Sequence, residues 1–197
     1  KNRSSKISRQ TLLRGAVAAP VALAIGAVAK EKGATPASSA HPMPPLPKRK
    51  LGRNGPEVTM LAMGGQAEAL TPDFYDRAWD LGIRYFDVAD CYRGGQSERE
   101  LGKWLRKYPE RRSDVFIVSK DHPKKLSDLP GMLDQRLEVL GTDYLDLFLI
   151  HGLGAKEYGE GSYDWPKSPE FKKIAERLKK SGKTRLMGFS CHDLQSD

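Results

Sequence analysis

The chain has 197 residues, 33 Lys+Arg against 25 Asp+Glu, and a formal net charge of +8. Residues 1–50 hold ten bases and one acid (+9) and residues 51–197 hold 23 bases and 24 acids (−1), so the near-neutral remainder gives no reason to expect a nucleic-acid partner. Two cysteines exclude a disulfide scaffold, no apolar run reaches the roughly 18–20 residues of a membrane helix, and 39% hydrophobic content suits one globular domain.

The basic start reads as an address. Lys1, Arg3, Lys6, Arg9 and Arg14 precede an apolar run, Ala16 to Ala29, broken only by Pro20 and Gly26. Small residues follow at 27–29 and 37–40, completing the order of an export signal. Ser8-Arg9-Gln10-Thr11-Leu12-Leu13-Arg14 resembles the twin-arginine export motif, with Gln10 in place of the second arginine. Residues 1–40 are thus expected to be an export signal and disordered segment, with the export machinery as partner. The expected destination is periplasmic or extracytoplasmic, and the cytoplasm if the signal does not function. Four prolines between His41 and Pro47 predict a stiff Pro-rich linker over 41–47.

From residue 48 strands and helices alternate. Thr71 and Pro72 predict a helix start, with Phe74, Ala78 and Leu81 inward and Gly82 as its stop. Residues 83–86 read as a strand. Ser97 and Glu100 form a predicted capping box ahead of Leu101, Trp104 and Leu105. A β-rich run covers 115–118. Leu129, Leu133, Leu137 and Leu140 make a helical stripe, and 144–150 is an apolar strand broken only by Asp146. Ser168-Pro169 opens a helix with Phe171, Ile174, Ala175 and Leu178 inward, and residues 185–189 form a last strand. The alternation predicts a parallel sheet with right-handed crossovers.

Asp87, Lys120, His151 and Ser190 end these strands, 33, 31 and 39 residues apart, about one βα unit each. That is the layout of a (β/α)8 TIM barrel, whose chemistry sits at strand ends. About five strands fit where a barrel needs eight, so the expectation is an N-terminal portion of one, over 48–197. A lysine ending an apolar strand needs a partner, and Asp87 on the adjacent strand is the natural one. An ammonium beside the Tyr92 phenol stabilises phenolate and makes the phenol a usable proton donor. A neutral His151 imidazole could orient a carbonyl oxygen. Such a set protonates an alkoxide as it forms, which points to hydride transfer to a carbonyl.

These residues also carry a resemblance. Leu51 to Val58, Gly82 to Asp87, Tyr92 to Glu98, Leu101-Gly102, Val118-Ser119-Lys120, Leu140 to Leu147 and His151 together resemble the aldo-keto reductase family. The resemblance implies Tyr92 as general acid, Lys120 tuning it, Asp87 holding Lys120, and His151 placing the carbonyl. It implies NADPH (NADP), or less often NADH (NAD), as cofactor and a small carbonyl or alcohol as substrate. Arg185 to Ser190 looks like the fifth family strand, where Ser190 would meet the nicotinamide amide. Cys191-His192 follows where the family often has Asn, and matches the branch carrying Gly-Phe-Ser-x-His.

Asp90, Cys91 and His122 lie near this set, but no metal-ligand spacing joins them, so no metal is assigned. Cys91 and Cys191 are read as packed thiols. The 152–167 loop, with Tyr158, Tyr163 and Trp165, either lines the substrate pocket or is plain surface. Two rivals stay open: a barrel domain binding a ligand or partner without catalysis, and a metal-dependent barrel hydrolase or isomerase. The export reading has its own check. Residues 1–45 fused to a reporter should carry it out of the cytoplasm, and a reporter retained inside overturns that reading.

Overall fold

The computed structural model describes residues 44–67 and 70–192. The predicted signal and residues 41–43 of the predicted linker lie outside the described residues. The end of that linker is tied down: Leu46 packs against the main core, and the Pro47 carbonyl accepts from Met60 N at 2.9 Å.

A short antiparallel hairpin opens the fold, β1 (Lys48–Lys50) against β2 (Glu57–Thr59). It closes over one side of the sheet through Val58, which is buried with Phe116 and Val118. Neither hairpin strand is foreseen by apolar periodicity, because three residues are too few to show a period.

Five parallel strands follow in sequence order: β3 (Met63–Gly64), β4 (Tyr85–Asp87), β5 (Phe116–Asp121), β6 (Leu145–Ile150) and β7 (Thr184–Phe189). Helices connect them. These are α1 (Pro72–Asp80), α2 (Gln96–Lys107), α3 (Leu129–Leu140), the single turn α4 (Ala155–Tyr158) and α5 (Pro169–Lys180). Short 3₁₀ segments at 109–114, 126–128 and 160–167 complete the connections. Sequential parallel strands joined by helices are five units of a (β/α)8 barrel, as the alternation implies.

The core is the layer between sheet and helices. α3 buries Leu129, Leu133, Leu137 and Leu140, and α5 buries Phe171, Ile174, Ala175 and Leu178, the stripes expected. Ser168 caps α5, accepting from Phe171 N at 3.1 Å. α1 differs. Thr71 does cap it, accepting from Phe74 N, but Phe74 is 40% exposed and Tyr75 is fully buried. The inward face is Tyr75 and Ala78, because the Tyr75 hydroxyl reaches the Ser97 carbonyl at 3.2 Å and its ring meets Phe86 edge-on.

The predicted capping box is also displaced. α2 begins at Gln96, with Gly95 as its N-cap, and Ser97 lies inside the helix. The start is set by a left-handed turn: Arg93, Gly94 and Gly95 have φ of 53°, 60° and 78°. Left-handed backbone costs L-residues about 1–2 kcal/mol each, and two glycines of the three remove most of that. Gly102 lets α2 press on α3, where a Cβ would stand 2.5 Å from the Val139 carbonyl oxygen.

Asp146, the polar break in β6, is 1% exposed and saturated. Its Oδ2 accepts from Ile117 N at 2.9 Å and Arg112 Nη2 at 3.0 Å, and its Oδ1 from Arg185 Nη1 at 2.8 Å. One carboxylate thus ties β5, β6 and β7 at their starts. Removing one partner from a buried ionic group typically costs about 3–5 kcal/mol. Asp146→Ala should lower the unfolding free energy by about that amount. Urea denaturation measures it, and a loss within error of zero would assign the network no structural weight.

Candidate active site

Parallel pairing brings the strand ends to one rim. Asp87 sits opposite Val118, Lys120 opposite Leu149, and Leu149 opposite Gly188. Beyond the strands the ladder continues through Val88 N to Val118 O, Asp90 N to Lys120 O, His151 N to Asp121 O and Ser190 N to Ile150 O, all within 3.3 Å. Each polar strand-end residue is therefore held by its neighbour's backbone.

Lys120 is 4% exposed. Its ammonium has three protons and meets three acceptors: Asp87 Oδ1 at 2.5 Å, the Val88 carbonyl at 3.0 Å and the Tyr92 hydroxyl at 3.1 Å. The buried cation is thus fully satisfied. The phenol oxygen of Tyr92 accepts one of these bonds, so its own proton points elsewhere. The Tyr92 ring lies edge-on to His151, centroids 5.6 Å apart at 80°. Asp87, Tyr92, Lys120 and His151, separated by up to 64 residues in sequence, form one constellation.

His151 is buried and also faces a second group. Its Nδ1 is 3.6 Å from Cys91 Sγ and 3.8 Å from Asp90 Oδ1. Its ring stacks on His122, centroids 4.3 Å apart at 33°. Desolvation pushes the Asp90 carboxyl up, but His151, His122 and the Cys91 backbone outweigh it and hold it below the usual carboxylate range. At 3.8 Å the His151 contact is longer than a hydrogen bond. Cys91 is exposed, not the packed thiol its sequence suggests, because it lies on the turn between Asp90 and Tyr92.

Ser190 follows β7, and its Oγ accepts from Gly152 N at 3.0 Å. Cys191 is half-buried, and the exposed His192 ring lies 6.5 Å from His151. Tyr158 donates to the His151 carbonyl at 2.7 Å and stacks near Trp165 at 5.1 Å. With His122, Pro123, Lys124 and Glu157 these two rings line a cleft of about 420 Å³. The 152–167 loop thus borders a cleft at the rim.

Beneath the rim is a layer that strand-end reasoning passes over. Glu98 is 1% exposed; Ser119 Oγ donates to its Oε1 at 2.5 Å, and Arg136 reaches both Glu98 Oε2 at 3.4 Å and Asp121 Oδ2 at 3.6 Å. The available signal was Arg136, a lone cation among the leucines of the α3 stripe.

A family model described as the aldo/keto reductase family matches residues 60–196. The chain belongs to the aldo/keto reductase family. It is 38% identical over 120 residues to an NADPH-dependent alpha-keto amide reductase of Saccharomyces cerevisiae, covering 58% of this chain and 36% of that one. It is 31% identical over 125 residues to a putative voltage-gated potassium channel subunit beta of Schizosaccharomyces pombe, covering 54% and 36%. An aldo-keto reductase of Bacillus halodurans, solved in its holo form, superposes with a TM-score of 0.61 at 26% identity, over 74% of this chain and 50% of that one. The chain thus spans half or less of the length of these relatives. Enzymes of this family use NAD(P)H.

The Glu98 layer has a pH signature. Desolvation dominates, outweighing Ser119 and Arg136 with help from Asp90 and Asp121, and pushes Glu98 up from 4.5 to about 7. Between those values the folded chain holds a proton that the unfolded chain has released. The Glu98 contribution to stability therefore falls as pH rises through that window and levels off above it. The expected fall is roughly 3 kcal/mol. Denaturation of Glu98→Gln at pH 5 and 7.5 should show this share of the pH dependence gone, and an unaltered slope would contradict it.

Proposed function

We propose that this chain carries the proton-donating half of an NAD(P)H-dependent carbonyl reductase, with Tyr92 as general acid. The observation that supports it most is the saturated Lys120 ammonium, bonded at once to Asp87 and to the Tyr92 hydroxyl. The residues present fit the nicotinamide end of the cofactor. Ser190 Oγ accepts from Gly152 and keeps its own proton to donate to an amide carbonyl, with Cys191 and His192 beside it. A bound NAD(P)H would supply the hydride for the carbonyl carbon.

The chain supplies the rest. His151 orients the carbonyl oxygen toward Tyr92. The Tyr92 phenol gives its proton to that oxygen as the negative charge develops there, leaving an alcohol. The phenolate left behind is neutralised by Lys120 at 3.1 Å. Asp87 fixes the ammonium in place and balances its charge in the resting state. Tyr158 and Trp165 present aromatic surface in the adjoining cleft, suited to the apolar part of a small carbonyl or alcohol substrate. We also propose that residues 1–40 direct export; their net charge of +6, from seven basic residues against Glu31, supports this.

Tyr92→Phe in the intact protein should lower kcat by about 10²–10⁴-fold. Cofactor binding, followed by nicotinamide fluorescence, should survive. Turnover equal to the parent's would remove Tyr92 from its role. Cofactor binding with no turnover in the parent protein would favour the alternative, a barrel that binds a ligand or partner without catalysis.

A further inference from the structure

The fold brings together four metal-ligating side chains from three stretches of the sequence. Asp90, Cys91, His122 and His151 each offer one ligand atom, and these four atoms lie within 4.8 Å of one another. Three of the separations are shorter: Cys91 Sγ to His151 Nδ1 at 3.6 Å, Asp90 Oδ1 to His122 Nδ1 at 3.5 Å and Asp90 Oδ1 to His151 Nδ1 at 3.8 Å. A tetrahedral ion with bonds of about 2.0–2.3 Å holds its ligands about 3.3–3.8 Å apart. The three distances already match the edges of such a tetrahedron, so small side-chain movements would close the rest.

A second observation points the same way. Asp90 Oδ1 is buried and accepts no hydrogen bond of ordinary geometry among the described residues; it faces the His122 and His151 Nδ1 atoms at 3.5 and 3.8 Å. A buried acceptor left without a partner is costly, and a cation would satisfy it. The ligand types narrow the ion. A thiolate, two imidazoles and a carboxylate suit Zn²⁺ and similar borderline-soft divalent ions, whereas Mg²⁺ and Ca²⁺ take oxygen ligands. Asp90 and a Cys91 thiolate would together balance the charge of a divalent ion. Cys91 is exposed, which leaves a way in.

We propose that Asp90, Cys91, His122 and His151 form a binding site for a thiophilic divalent cation of the Zn²⁺ type at the rim of the sheet. The site shares His151 with the Tyr92 constellation but does not depend on the reductase reading. A ligand on Nδ1 leaves the His151 proton on Nε2, so the ion would fix the tautomer of that ring.

The experiment is Co²⁺ titration of the intact, chelator-treated protein, followed by absorption spectroscopy. The expected result is one equivalent bound, with a near-ultraviolet thiolate-to-cobalt band and the intense visible bands of a four-coordinate ion. Zn²⁺ should displace it and excess Mg²⁺ should not. Cys91→Ser should abolish the thiolate band, and His122→Ala should weaken binding at least tenfold. Both side chains lie outside the packed core, and far-UV circular dichroism checks that the variants fold. A parent spectrum of a six-coordinate aqua type, or binding that neither variant alters, would overturn the proposal. Neither readout involves turnover, so a failure here is distinct from a failure of Tyr92→Phe.

Discussion

A buried ammonium organises this rim. Lys120 stands near the end of a strand whose six residues are all buried, so its charge has no water to turn to. Its three protons need three acceptors, and all three come from one segment: the Asp87 side chain, the Val88 carbonyl and the Tyr92 hydroxyl. That demand fixes where β4 ends, how far the chain runs before turning, and which side Tyr92 faces. The left-handed turn at 93–95 then re-aims the chain into α2 at once. The phenol position follows from satisfying one cation, and the glycines after it set the helix start.

The strand ladder explains why the other groups arrive at the same rim. In a parallel sheet every strand delivers its end to one side, and here the backbone pairing runs past the strands, from Val88 to Ser190. Asp146 serves the opposite end. It ties β5 to Arg112 and Arg185 where the strands begin, so the register at one end is held by a carboxylate and at the other by the ladder itself. The chemistry-bearing residues need no contacts of their own to be brought close.

Much of this was legible in the sequence, for reasons that also mark its limits. The stripes of α3 and α5 have four apolar residues each at helical spacing, and burial follows. Asp87, Lys120 and His151 were legible because each ends an apolar run, and Tyr92 because it follows Asp87 by five residues just past a strand. Phe74 misled because hydrophobicity does not distinguish it from Tyr75; the deciding fact is the Ser97 carbonyl waiting for a hydroxyl 22 residues away. Ser97 misled because a capping pattern is local, while the turn that starts α2 is set by glycines before it. Glu98, Ser119 and Arg136 pair across three elements, and no spacing rule relates them.

His151 shows how the two sets of residues divide one ring. One edge meets Tyr92, which is held by Lys120 and so by β4 and β5. Its Nδ1 meets Asp90 and Cys91, on the turn between Asp87 and Tyr92, while its face stacks on His122 just past β5. Both sets hang from the same two strands and the same turn. A displacement of that turn would therefore change the Tyr92 side and the Nδ1 side together. Proton position on an imidazole is set by what its other nitrogen touches. Whatever occupies the space between Asp90, Cys91 and His122 consequently decides what His151 can offer on its far nitrogen, and the two halves of the rim are coupled through a single ring.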